Sequence, residues 1–290
     1  MSTDLTAAPA AGSGTLRIGD DLTVNRLGYG AMRLTGPGIW GEPADPDEAV
    51  RVLRRAVELG VNFIDTADAY GPYTSDRFIK EALHPYADDL VIATKVGLTR
   101  PGPDDWRPVG RPEYLRQQAE LNLRHLRLEA ISLLQLHRID PAVPLEDQVG
   151  ELAELRKEGK IRHIGLSEVT VEEVERARAV APIVSVQNLY NVAERKSEDV
   201  LRHAEQQGLA FIPWFPLAMG QLAGPDGPLA KVLTNHDATA PQLALAWLLR
   251  HSPALLPIPG TSSVAHLEEN VASASIRLSE DDYRTITAAC

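Results

Sequence analysis

The feature that most constrains this chain is a repeated unit: a helical stretch, then a glycine, then a short apolar strand. It reads ELAELRKEG into KIRHIGLS, SEDVLRHAEQQG into LAFIPWF and, earlier, a helix ending at Gly60 into VNFID. Glycine ends a helix well because the left-handed cap conformation is open to it without steric penalty. The helix before Gly60 is also marked at its start, by Asp45 as N-cap and Pro46 at the first helical position. Ala49, Val50, Val52, Leu53, Ala56 and Val57 then form its apolar face. Eight strands can be placed, at residues 26–29, 61–65, 90–94, 131–136, 160–167, 183–187, 209–215 and 255–258. Further helices are expected at 76–83, 111–126, 171–179 and 241–249, and a β-hairpin at 15–18 and 22–27 precedes the first unit.

Alternating strands and helices over about 250 residues, with no Pro/Gly/Ser-rich linker, fit an α/β fold of the (β/α)8 TIM-barrel type better than two domains. The rival is a doubly wound sheet with a glycine-rich dinucleotide turn. Gly28-Tyr29-Gly30-Ala31-Met32-Arg33 begins like one but lacks the third glycine and runs into a loop at 34–42 rather than a helix. The expected organisation is therefore a disordered tail at 1–13 and one barrel domain at 14–290.

Composition narrows the partners. With 29 Lys+Arg against 40 Asp+Glu the net charge is -11, which disfavours binding to nucleic acid or an anionic membrane. The single cysteine, Cys290, permits no intrachain disulfide. With no signal-like start and no apolar run near the roughly 20 residues of a membrane span, a cytoplasmic protein is expected. The sequence leaves the oligomeric state open.

In a barrel of this kind chemistry sits at the C-terminal strand ends. Strand two ends in Asp65 with Tyr70 just beyond, strand three in Lys95, strand four in His137. Singly, each reads equally well as a loop cap or a solvated polar group; together they make a proton donor. A tyrosine, with a reference pKa of about 10, needs a nearby cation to act near neutrality. Lys95 can be that cation, Asp65 can keep it charged, and His137 can donate to a carbonyl oxygen and orient it. That set suits protonation of an oxyanion formed in a reduction, with no metal.

The chain resembles the aldo-keto reductase family along nearly its whole length. VNFIDTADAYG, VIATKVG, LNLRHLRLEAISLLQLH, IGLSE, VQNLYN, WFPL and IPGTSSVAHLEEN occur in the family's order. The resemblance implies Asp65, Tyr70, Lys95 and His137 as catalytic residues, with Tyr70 the proton donor, and a nicotinamide cofactor extended across the barrel mouth. It places Ser167, Gln187 and Asn188 on the carboxamide and Trp214 against the ring. Gly30, Ala31, Met32, Phe215, Pro216, Leu217 and Gly220 follow along the pyrophosphate path. Gly260, Thr261, Ser262, Ser263, His266, Glu269 and Asn270 fall at the adenosine end, where a helix N-terminus favours phosphate. Many members carry Lys and Arg where Gly260 and His266 stand, so the charge argument for NADPH is weaker here; NADPH is favoured by family habit and NADH stays open.

VNRLGYGAMRLTGPGIWG and PQLALAWLLRHSP most resemble the bacterial branch that includes pyridoxal reductases, which makes a small carbonyl compound, pyridoxal among them, the expected substrate. Trp40, Trp106, Met32 and Met219 are candidate pocket walls, with Trp106 in a Gly- and Pro-rich loop at 97–112. Two alternatives stand beside this reading. One is a nicotinamide-binding regulatory subunit with little turnover; the other is a hydrolase using Asp65 and Glu168, which leaves Lys95 and His137 without a task.

Overall fold

The structure is a computed structural model that describes residues 8–217 and 229–288. The N-terminal hairpin consists of β1 (Thr15–Ile18) and β2 (Leu22–Asn25). The barrel then begins with β3 (Tyr29–Gly30), α1 (Pro46–Glu58), β4 (Phe63–Asp65), α2 (Thr74–Leu83) and β5 (Val91–Val96). A second hairpin, β6 (Leu98–Gly102) and β7 (Asp105–Pro108), precedes α3 (Pro112–Leu126), β8 (Ile131–Leu136), α4 (Leu145–Lys157) and β9 (Ile161–Ser167). The chain continues through α5 (Val171–Arg178), β10 (Ile183–Gln187), α6 (Glu198–Gln207), β11 (Ala210–Phe211), α7 (Ala230–Leu233), α8 (Ala240–His251), α9 (Val264–Ala272) and α10 (Glu280–Ala288).

Seven parallel strands lie in the order β3-β4-β5-β8-β9-β10-β11. The eighth segment is not a regular strand, yet it closes the ring. Phe211 N donates to Ala254 O and Leu256 N to Phe211 O, both at 2.9 Å, while on the other side Gly28 N donates to Pro257 O at 2.9 Å. Prolines at 257 and 259 supply no N–H, so a longer ladder cannot form there. The result is the α/β TIM barrel expected from the alternating pattern.

Helix punctuation follows the sequence. Asp45 accepts from Glu48 N at 2.9 Å, and Gly60 and Gly208 adopt φ of +87° and +68° just past their helices. The first hairpin plugs one end of the barrel: Ile18, Leu22 and Val24 pack with Phe63, Val91, Leu133, Ile212 and Leu256 in one buried cluster. At its turn Gly19 (φ +61°) lies so close to His163 that a Cβ would stand 2.5 Å from the imidazole Cε1, so only glycine fits.

Two expectations need correction. Within the stretch expected as a disordered tail, Pro9–Ser13 forms a 3-10 helix with Ala10 buried, its N–H donating to Leu59 O at 2.9 Å. Small residues carry no apolar bulk to signal order; here they order the segment through close approach. The region 97–112 is not an irregular loop, because β6 and β7 pair antiparallel through most of it. Among the described residues no helix is long and apolar enough to cross a membrane.

Candidate active site

Parallel register delivers the polar residues to one end. Asp65 closes β4, Lys95 is the next-to-last residue of β5, and His137 follows β8, its N–H bonded to Val96 O at 2.8 Å. Tyr70 sits in the turn after β4, held by Tyr70 N to Ala67 O at 3.0 Å. All four are buried.

Lys95 Nζ has three acceptors: Asp65 Oδ2 in a short ion pair, Thr66 O at 3.0 Å, and the Tyr70 hydroxyl oxygen at 3.2 Å. An ammonium can only donate, so the Tyr70 oxygen accepts and its own proton is left to point elsewhere. Asp65 Oδ1 accepts from Gln135 Nε2 at 3.0 Å and Gln187 Nε2 at 2.9 Å. Burial alone would push Lys95 down, but Asp65 and Tyr70 outweigh it and hold the ammonium above its usual range. Burial pushes Tyr70 up, with Lys95 pulling in the opposite direction; the cation moderates the tyrosine rather than reversing its shift. Burial, reinforced by Lys95, Arg138 and Arg100, holds His137 well below its ordinary value, so the imidazole is neutral and carries one N–H.

These residues open on a cavity of about 990 Å³ whose lining includes Asp65, Tyr70, His137, Ser167, Gln187 and Trp214. Trp106 forms one wall, edge-on to Tyr70 at 6.4 Å and to His137 at 6.2 Å between ring centroids. Behind it the Arg100 guanidinium stacks 3.5 Å from the indole centroid and donates to the Ala69 and Gly38 carbonyls at 2.8 Å each. Arg100 thus fastens the second hairpin to the Tyr70 turn.

Gly30, Met32, Phe215, Pro216, Leu217, Gly260 and His266 also line the cavity. Gly30 and Gly260 meet backbone to backbone: a Cβ on either would stand 2.7 Å from a carbonyl oxygen, of Ile258 and of Gly30 respectively. Phe215 takes a left-handed turn, φ +60°. The Trp214 indole N–H donates to Glu168 Oε1 at 2.6 Å, so Glu168, the second carboxylate of the hydrolase alternative, is engaged in fixing Trp214.

Other expected residues lie elsewhere. Asn188 does not face the cavity; its amide is spent on Val169, accepting from N at 3.1 Å and donating to O at 2.8 Å. Ala31, Thr261, Ser262, Ser263, Glu269, Asn270 and Trp40 are not among the lining residues. Thr261 Oγ1 accepts from Ser263 N, Glu269 accepts from Thr239 Oγ1 at 2.5 Å, and Trp40 stacks near Arg100, 5.8 Å away. The N-terminus of α9, expected to take a phosphate, already has the Glu48 carboxylate on Val264 N at 3.0 Å. Met219 and Gly220 lie outside the described residues.

The cavity also holds two arginines that no sequence motif marks as site residues. Arg138 Nη1 donates to His137 O at 2.6 Å and to Ser167 Oγ at 3.1 Å, and Arg33 lines the wall beside Gly260. Their signal was position alone: one directly follows His137, the other ends the motif Gly28–Arg33.

The barrel thus sets a buried Asp-Lys-Tyr cluster and a neutral histidine around one cavity at its mouth. Residues 26–290 match the model of the Aldo/keto reductase family, and the chain belongs to that family. An oxidoreductase of Schizosaccharomyces pombe is 53% identical over 277 residues, covering 96% of this chain and 90% of its own. Pyridoxine 4-dehydrogenase of Escherichia coli is 45% identical over 270 residues, covering 91% and 94%. Among solved structures, the glycerol dehydrogenase of Gluconobacter oxydans aligns with a TM-score of 0.86 at 26% identity, over 96% of this chain and 95% of that one. An aldo-keto reductase of Klebsiella pneumoniae in complex with NADPH aligns at 0.81 and 26%, over 94% of each.

Proposed function

We propose that the protein is an NAD(P)H-dependent reductase of small aldehydes or ketones, with Tyr70 the general acid. One observation carries this reading: Lys95 donates to the Tyr70 oxygen, which leaves the phenolic proton for a group in the cavity. A carbonyl oxygen there receives that proton from Tyr70 and a hydrogen bond from neutral His137, while Asp65 keeps Lys95 charged. When bound, the nicotinamide supplies the hydride. Ser167 and the Gln187 carbonyl oxygen are the polar groups available to its carboxamide and the Trp214 indole to its ring face. Arg33 and His266, which line the cavity, are the groups available to cofactor phosphates. Ser167 and Gln187 on one side of the cavity and Arg33 beside Gly260 suit a long ligand with an amide head and anionic tail. NADPH is the favoured cofactor and NADH the alternative.

The aromatic wall at Trp106 and the likeness to pyridoxine 4-dehydrogenase make pyridoxal a leading substrate to try. The test is the loss of NADPH and NADH absorbance, side by side, with a panel of aromatic aldehydes including pyridoxal. Tyr70→Phe is expected to bind cofactor like the wild type and to lose at least ~100-fold in kcat. Wild-type turnover by that variant overturns the assignment of Tyr70. Cofactor binding without consumption by the wild type would instead favour the regulatory-subunit reading.

A further inference from the structure

Two carboxyl groups behind Lys95 have no part in the reaction as proposed. Asp76, in the first turn of α2, has no exposed surface; Oδ1 accepts from Thr66 Oγ1 at 2.7 Å, and Oδ2 has no partner among the described residues. Asp68, in the turn between Asp65 and Tyr70, is buried with both oxygens unpartnered there and only the Ala69 N–H approaching it.

The charge count forces a decision. Asp65, Asp68 and Asp76 are three buried carboxyls around one buried ammonium, and neighbouring carboxyls in a dry site do not all ionise. Asp65 takes the ion pair and both glutamine amides. Asp68, with neither, keeps a proton: burial and the nearby Asp76 push it well above the carboxylate range. Asp76 falls between, pushed up to about 7 by burial, with the Thr66 hydroxyl and Lys95 opposing.

Thr66 joins the two centres. Its carbonyl accepts from Lys95 Nζ at 3.0 Å while its hydroxyl holds Asp76, and Ser75 Oγ lies 2.8 Å from that hydroxyl. The other titratable groups near the pair are phenols that stay neutral. Tyr73 before α2 feels both acids, Tyr86 after α2 feels Asp76, and Tyr114 on α3 feels Asp68; all three are pushed up, mainly by burial. From α1 the buried side chains facing inward are apolar, Val52, Leu53 and Ala56 among them. Lys95 is therefore the cation through which Asp76 can act.

We propose that Asp76 is a positioning residue of the proton-transfer site: when ionised it adds negative charge behind Lys95 and weakens that ammonium's hold on the Tyr70 oxygen, while Asp68 stays neutral throughout. The inference rests on Tyr70 being the proton donor. It makes the strength of the acid depend on a carboxyl one residue removed from the lysine, across the Thr66 bridge.

The test is kcat/KM for reduction of benzaldehyde, a neutral substrate, at saturating NADPH from pH 5 to 10, for wild type, Asp76→Asn and Asp68→Asn. In Asp76→Asn the alkaline limb set by Tyr70 should move down by about one pH unit, tenfold in acidity, with the KM for NADPH unchanged. In Asp68→Asn, where the amide copies a neutral acid, the limb should stay in place. A limb that stays in Asp76→Asn, or moves equally in both variants, overturns the proposal. If Asp76→Asn does not fold, infrared difference spectra of the wild type decide: the band of buried protonated carboxyls should fall by about half between pH 5 and 9. A constant band refutes the idea. Failure of the Tyr70 assignment would show separately, as wild-type turnover by Tyr70→Phe.

Discussion

Replacing Asp65 by Asn leaves the Lys95 ammonium, 0% exposed, without its counter-ion. Removing one partner of a buried ion pair costs ~3–5 kcal/mol. The lower end applies here, since Thr66 O and the Tyr70 oxygen still accept from Nζ. A loss of ~3 kcal/mol corresponds to a fall in Tm of roughly 6–12 °C for a domain of this size. The double variant Asp65→Asn/Lys95→Met removes both charges of the pair, so its stability should return to within ~1 kcal/mol of wild type while turnover stays abolished. Calorimetric melting at pH 7, beside an aldehyde reduction assay, measures both. The single variant should also recover as pH rises from 7 to 10. Its unpaired lysine has a folded-state pKa below the unfolded value, so folding releases a proton and is favoured by higher pH. A double variant as unstable as the sum of the two singles would refute the reasoning, because the loss would then be one of packing and not of unpaired charge.

Two further outcomes are expected. Trp106→Ala removes the wall beside Tyr70 and the platform under Arg100, and should raise KM for aromatic aldehydes by ~10-fold or more, with a much smaller effect on an aliphatic aldehyde in the same assay. Stability should depend on pH through Asp76, whose folded-state value of about 7 lies above the unfolded value near 3.8. Its contribution is fully present below pH ~4 and is lost as pH rises through 7, so urea melts of Asp76→Asn should gain on wild type between pH 5 and 8, by at most ~3 kcal/mol.

Much of the architecture was legible because its signals are local. A capped helix, a glycine and an apolar strand end each need only a few residues to declare themselves, and parallel strands ending in Asp65, Lys95 and His137 converge wherever such strands form a barrel. What was hidden depends on contacts between distant segments. The 3-10 helix at Pro9–Ser13 is ordered by Leu59 and by Arg277, which donates to Gly12 O at 2.9 Å. The hairpin of β6 and β7 is pinned by Arg100 on three carbonyls from two other turns. The family resemblance puts Asn188 on the ligand; its side chain serves the main chain of Val169, a need invisible until β9 and β10 lie side by side.

The meeting of Gly30 with Gly260 has a consequence for how the ligand groove comes into being. Its two lips belong to segments some 230 residues apart, joined where the hydrogen bonds from Gly28 N to Pro257 O and from the Tyr29 hydroxyl to Thr261 O seal the ring. Until the ring is sealed there is no groove, only two loose ends of chain. Any ligand that lies across that seam acts as a clasp on the closed ring, and its binding free energy is added to the stability of the whole barrel rather than to one wall of it.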